Sequence, residues 1–172
     1  MKKLFSALVV GGLALVVAGP AAGDDKKVPF SDPDFVTMAA VGGMAEVELG
    51  KLAHDKAAAA DVKKFGEQMV ADHTKANEKL KAVARSAGLT VPTKLDAKHQ
   101  AEYDRFRKLS GAEFDKAYVE HMLKDHEEDV ALFKQASKEA KDAALRQFAA
   151  DTLPTLEHHL EMVRKLYAAH GK

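Results

Sequence analysis

The sequence predicts an all-α protein: a ferritin-like four-helix bundle with a short extra helix in the connector between the second and third long helices. Three observations predict it. Apolar residues recur at three- and four-residue spacing through four long segments. Capping and breaking residues separate those segments. No stretch alternates apolar and polar residues as a half-buried strand would, and no hairpin turn chemistry is present.

Ser31-Asp32-Pro33-Asp34 reads as the start of the first long helix, with a hydroxyl ahead of a proline and acids at the positive end. That helix runs to about Asp55, with Phe35, Met38, Ala45, Leu49 and Leu52 at core spacing. Gly42, Gly43 and Gly50 each cost it about 1 kcal/mol of propensity. Close approach by a neighbouring helix and a simple weak point explain them equally well. The second helix runs from about Ala60 to Ser86, with Val62, Phe65, Met69, Ala76, Leu80 and Val83 on one face and Gly88 as its stop. Leu89 to Leu95, containing Pro92, is a connector, and Asp96 to Leu109 reads as the short helix. Ser110-Gly111-Ala112-Glu113 reads as a capping box opening the third long helix, which continues to about Lys138 with Val119, Met122, Val130 and Phe133 inside. Asp142 starts the fourth, which turns Leu145, Phe148, Leu156, Leu160, Val163 and Tyr167 inward. Pro154 should kink it.

Two short turns make two antiparallel hairpins. The connector of about 23 residues is long enough to run along the bundle, the layout with one long crossover. An up-down-up-down bundle with the short helix across one end is the alternative. Met69-Val70-Ala71-Asp72-His73 and Met122-Leu123-Lys124-Asp125-His126 share a Met-apolar-x-Asp-His pattern, each with an aromatic residue four before the methionine. We read this as a repeat between the hairpins.

At the N-terminus, Met-Lys-Lys precedes an apolar run from Leu4 to Val17 and the small residues Ala18 to Gly23. This is the pattern of a secretory signal peptide. The run is shorter than the roughly 20 residues of a membrane span, and Ala21 and Gly23 place cleavage after Gly23. A retained anchor is the alternative. Residues 1–23 are thus read as signal peptide, 24–30 as a polar lead-in and 31–172 as the bundle domain. The absence of cysteine excludes disulfides and a lipidated N-terminal cysteine. Without the leader, 24 basic residues face 26 acidic ones. That balance excludes a nucleic-acid footprint and a polybasic membrane patch. The expected location is periplasmic or secreted, with no stable membrane span after cleavage. The partner is undetermined, and a homo-oligomer is open.

Eight histidines are present. At 100° per residue, His126 lies at the centre of the third long helix's apolar face, while His73 and His159 flank the apolar centres of theirs. Glu46 flanks the apolar face of the first helix. All four fall near mid-helix, with heights that differ by about 6 Å at 1.5 Å per residue. Buried imidazoles and a carboxylate need partners. Glu46, His73, His126 and His159 are therefore candidate ligands for one zinc, iron or copper ion. Asp72 and Asp125 point roughly 100° from their neighbouring histidines and could orient a ligand on another helix; salt bridges to lysine or arginine are the plainer reading. His54, His99, His121, His158 and His170 read as surface histidines. Met69, Met122 and Met162 lie within a turn of the three core histidines, which suits copper but also suits ordinary core filling.

The segments Gly42 to Gly50, Met69 to Thr74, Ser110 to Asp115 and Thr152 to Leu160 resemble the exported bacterial family catalogued as domain of unknown function 4142. The resemblance covers about Phe35 to Tyr167. It implies a ferritin-like bundle, an exported protein and no settled activity. Di-iron bundles carry Glu-x-x-His pairs; here Val70, Leu123 and Leu156 stand three residues before the core histidines. That departure argues against ferroxidase or oxygen-activating di-iron chemistry. With no Ser-His-Asp order, phosphate loop or thiol, the leading reading is a non-enzymatic metal-binding bundle. A periplasmic metalloenzyme and a structural or stress-protective envelope protein with a metal-free polar layer are the alternatives.

Overall fold

The structure, a computed structural model, describes residues 30–172. The expected signal peptide and all of the lead-in except Phe30 lie outside the described residues. Five helices follow: α1 Asp32–Lys56, α2 Ala60–Ser86, α3 Ala97–Phe106, α4 Gly111–Glu139 and α5 Ala143–His170. Among the described residues there is no strand.

The caps explain most boundaries. Ser31 Oγ accepts from Asp34 N–H at the start of α1, and Asp142 Oδ1 accepts from Ala144 and Leu145 N–H at the start of α5. Asp96 accepts from His99 N–H to open α3. Gly88, at φ +70°, takes the left-handed turn after α2. The expected capping box at α4 does not form: Ser110 makes no side-chain cap bond. Gly111 sits at φ +63° instead, so the chain turns into α4 through a conformation only glycine adopts cheaply.

Two buried aspartates decide the topology. Asp32, at the start of α1, accepts from Lys141 and Asp142 N–H in the α4–α5 turn at 2.9 and 2.8 Å. Asp115, at the start of α4, accepts from Ala58 and Ala59 N–H in the α1–α2 turn at 3.0 and 2.9 Å. The start of each hairpin thus grips the turn of the other. Helices α1 and α4 run antiparallel, α2 and α4 run parallel, and the 87–110 connector must travel the length of the bundle. This is the single-crossover layout; up-down-up-down is excluded.

The same clasps reveal the internal repeat. Moving α1 by 83 residues lays Asp32 on Asp115, Phe35 on Tyr118, Val36 on Val119, Ala53 on Ala136 and Ala57 on Ala140, all buried. The shift also brings the start of α2 onto that of α5, with Val62 on Leu145 and Phe65 on Phe148. The Met-x-x-Asp-His match between α2 and α4 is a different alignment. It pairs a second helix with a first helix, so it is not the correspondence between hairpins.

The core is one cluster running from Phe35, Phe133 and Phe148 at one end to Phe65, Phe114 and Tyr118 at the other. Met38 and Tyr167, expected inside, are 51% and 38% exposed; each lies on the edge of its apolar stripe. The glycines divide. A Cβ on Gly50 would sit 2.6 Å from Gly66 O, so α1 and α2 touch backbone to backbone there. Gly43 gives its space to the Asn77 side chain, whereas Gly42 faces open space and is simply a weak point. Helix α5 continues as one element through Pro154.

Candidate metal centre

Four helices aim one polar side chain each at the middle of the bundle. Glu46 comes from α1, His73 from α2, His126 from α4 and His159 from α5. Glu46, His126 and His159 are fully buried, and His73 is 5% exposed. These are the four residues the sequence singled out, and the structure brings them together.

The outer hydrogen bonds set the proton positions of two rings. His126 Nδ1–H donates to Met122 O at 2.9 Å, leaving Nε2 as a bare lone pair. His159 Nε2–H donates to Asp72 Oδ2 at 3.0 Å, leaving Nδ1 bare. Those two bare nitrogens face each other at 3.4 Å. Two lone pairs so placed repel unless a proton or a cation lies between them. His73 Nδ1 stands 2.8 Å from Glu46 Oε2, and His126 Nε2 stands 3.5 Å from Glu46 Oε1. Despite these approaches, neither Glu46 oxygen receives an aligned hydrogen bond, and His73 Nε2 is buried without a partner. One nitrogen from each imidazole lies within 4.8 Å of the other two. Glu46 leans on this triad rather than belonging to it.

Burial keeps the rings neutral. The His126 pKa is depressed to about 3, chiefly by loss of solvent and then by His73 and His159. That of His159 falls to about 4 by loss of solvent, against the pull of Asp72. His73 is lowered for the same first reason. Burial pushes the Glu46 carboxyl well above the usual carboxylate range, helped by the charge of Asp125. Asp72 is partly desolvated, which raises it, but its bonds to Gln68 and His159 outweigh this and hold it low. It is a charged acceptor that orients His159, the role expected of a group behind a metal ligand.

Asp125 does not do the same. Among the described residues it makes no hydrogen bond or ion pair with the three core rings, and it lies in the field of His121, Glu102 and His99. His121 is not a plain surface residue: it is half-buried, with its ring 5.2 Å from that of Phe106 on α3. His54, His99 and His170 pair with Glu67, Asp96 and Asp61, and His158 is exposed. Met69 and Met122 are core residues, and Met162 packs against the core.

Sequence reasoning missed Asp129. Desolvation raises its carboxyl well above the ordinary range, and so does Glu46. It lies three residues after His126, one turn along the same face, which is the signal that could have found it. It is also the counterpart of Glu46 in the 83-residue repeat. With His73, Asn77 and Thr152 it lines a cavity of about 20 Å³, room for one water. Among the described residues, neither Glu46 nor Asp129 pairs with a lysine or arginine. A buried and a half-buried carboxylate, bare imidazole nitrogens and no basic counter-charge among the described residues fit a cation.

Residues 17–166 match the family described as a domain of unknown function, DUF4142. The chain belongs to that family. No curated protein matches this DUF4142 chain in sequence. Solved structures share its fold. A DUF305 protein from Streptomyces coelicolor is 15% identical, with a TM-score of 0.66 over 80% of this chain and 91% of its own. CopM in its Cu(I)-bound form is 14% identical, with a TM-score of 0.67 over 81% and 97% of the two chains. In its Cu(II)-bound form the TM-score is 0.68, at 14% identity, over 83% and 99%. Among the described residues of the DUF4142 chain, no helix is long and apolar enough to cross a membrane.

Proposed function

We propose that this DUF4142 protein is exported and holds one transition-metal ion at the centre of its bundle, through His73, His126 and His159 with Glu46 beside them. The observation that carries the reading is the 3.4 Å approach of two unprotonated nitrogens, His126 Nε2 and His159 Nδ1, inside a sealed core. A bound cation turns that repulsion into coordination. Glu46, kept protonated by burial, would release its proton to the ion and then supply negative charge, and Asp72 fixes the His159 tautomer from behind. Three imidazoles and a carboxylate suit copper, zinc or iron. Copper is favoured by the likeness to copper-bound CopM. Export rests on the leader pattern of residues 1–23. Binding rather than catalysis fits a site with no open mouth: its four residues are at most 5% exposed.

Calorimetric titration with copper and zinc tests the reading, on protein recovered from the periplasm with an N-terminal mass that begins near Asp24. His126→Ala and His73→Ala should weaken binding at the core at least about 100-fold, more than the roughly 10- to 100-fold that loss of a group behind a ligand costs. His158→Ala should bind as wild type does. No binding by wild type would leave a purely structural polar layer. Binding that survives His126→Ala but fails in His158→Ala would move the site to the outside of α5.

A further inference from the structure

We propose that Asp129 is a positioning residue for the core site: through one buried water it holds the outer nitrogen of His73, as Asp72 holds that of His159. The proposal rests on the core reading, in which His73, His126 and His159 each turn one nitrogen toward an ion. A ligating imidazole gives its other N–H to a carboxylate, a carbonyl or a water, which fixes its tautomer and its orientation. Two of the three rings meet that rule directly. His126 Nδ1–H donates to Met122 O at 2.9 Å, and His159 Nε2–H donates to Asp72 Oδ2 at 3.0 Å. His73 differs. Its Nδ1 faces Glu46 Oε2 at 2.8 Å, so Nε2 points away from Glu46. That nitrogen is buried without a protein partner, a condition that costs about 1–3 kcal/mol if nothing meets it.

His73 borders the cavity of about 20 Å³ that lies between the four long helices. Its volume exceeds the roughly 10–15 Å³ that one water needs. Four polar side chains line it: His73 and Asn77 from α2, Asp129 from α4 and Thr152 from α5. The remaining walls are apolar. A buried water takes about two to four polar partners, and the lining groups can serve. Thr152 Oγ1 donates to Phe148 O at 2.8 Å, which leaves its lone pairs to accept. Among the described residues, no hydrogen bond or ion pair occupies the side chains of Asn77 and Asp129. Asn77 is held in place, because its amide lies against Gly43 in the space that a Cβ there would fill.

His73 Nε2–H donates to the water, and the water donates to Asp129. The 83-residue repeat then gains a chemical sense: its paired acids, Glu46 and Asp129, address the two nitrogens of one ring. Asp129 acts through His73 and does not touch the ion. An asparagine at 129 keeps an oxygen that accepts from the water, whereas a leucine keeps the bulk and removes the acceptor.

Titration of the mature chain with Zn²⁺, followed by long-range proton–nitrogen NMR of the loaded protein, tests the proposal. In wild type and in Asp129→Asn, the His73 ring proton should sit on Nε2 and show a cross-peak to a bound water. In Asp129→Leu that cross-peak should vanish. Zn²⁺ binding should weaken at least about tenfold in Asp129→Leu and less than about threefold in Asp129→Asn, in line with loss and rescue of a group behind a ligand. A residue that only packed would not move the ring signal. Circular dichroism checks folding, and if Asp129→Leu unfolds, the wild-type cross-peak decides alone. A His73 proton on Nδ1, or no water cross-peak in loaded wild type, would overturn the proposal. Unchanged binding in folded Asp129→Leu would also overturn it, and both results would leave the core reading intact. No Zn²⁺ bound by wild type would refute the core reading, and Asp129 would then have no ligand to position.

Discussion

In the hairpin α1–α2, Asp32, Phe35, Val36, Ala53 and Phe65 occupy the places that Asp115, Tyr118, Val119, Ala136 and Phe148 occupy in α4–α5. Near mid-helix the correspondence changes. His126 stands where the first hairpin has Gly43, and His159 where it has Ala76. His73 stands where the second hairpin has Leu156. Only Glu46 and Asp129 keep a shared chemistry. The residues that shape the frame are specified twice, and the imidazoles once. A pseudo-symmetric frame therefore holds an asymmetric centre, and each hairpin can change its contribution without disturbing the clasp that joins it to the other.

The largest test of this comparison is on the clasps. Asp32→Ala and Asp115→Ala each strand two backbone N–H groups and remove hydrogen bonds to a carboxylate. Each should cost about 2–4 kcal/mol in urea unfolding, and the two losses should agree within about 1 kcal/mol if the positions are equivalent. A large loss at one and none at the other would break the correspondence. The carboxylate counterparts give a smaller effect. Glu46 approaches the His73 and His126 rings, whereas Asp129 forms an ion pair with neither. Glu46→Gln should weaken copper or zinc binding at the core about tenfold or more, and Asp129→Asn less than about threefold, a difference near 1 kcal/mol by titration. Equal losses would make Asp129 a ligand in its own right.

The smallest effect is on acid sensitivity, which the comparison assigns mainly to the second hairpin. His126 and His159 have folded pKa values of about 3 and about 4, below the unfolded value near 6.5. The unfolded chain therefore binds these protons more readily. Stability from the neutral rings is kept above about pH 6.5 and drains as pH falls toward those folded values. Glu46 is shifted the other way, so its protonation is favoured by folding and offsets part of the loss. Metal-free His126→Leu should show a shallower fall in urea midpoint between pH 6.5 and 4 than wild type. An unchanged slope would mean that the His126 proton is not excluded by the fold.

Much of this was legible in sequence, because helices announce themselves through spacing and caps. The inward phase of Glu46, His73, His126 and His159 followed from their neighbours on each helix. The crossover was legible only as a length; its direction depends on Asp32 and Asp115, whose acids look like ordinary charges in a first helical turn. The repeat was missed for a related reason. Identical letters at Met69–His73 and Met122–His126 drew attention, while the true correspondence keeps only size and burial, as in Phe35 with Tyr118. Asp129 was hidden in the acidic run Glu127-Glu128-Asp129, where two of the three acids are exposed. His121 looked external because a helical wheel sees one helix at a time, and the cover over it comes from α3.

The mutual grip of the two turns has a kinetic side. An ion at the centre would touch ligands from both hairpins, and neither hairpin could swing away while its turn is held by the other. Exchange would then wait for a partial opening that releases at least one aspartate clasp. Residence time would then be governed by how often the bundle breathes rather than by the strength of the metal–nitrogen bonds. Such a protein would be slow to surrender its ion even to a tighter chelator, and quick to do so once one clasp is cut.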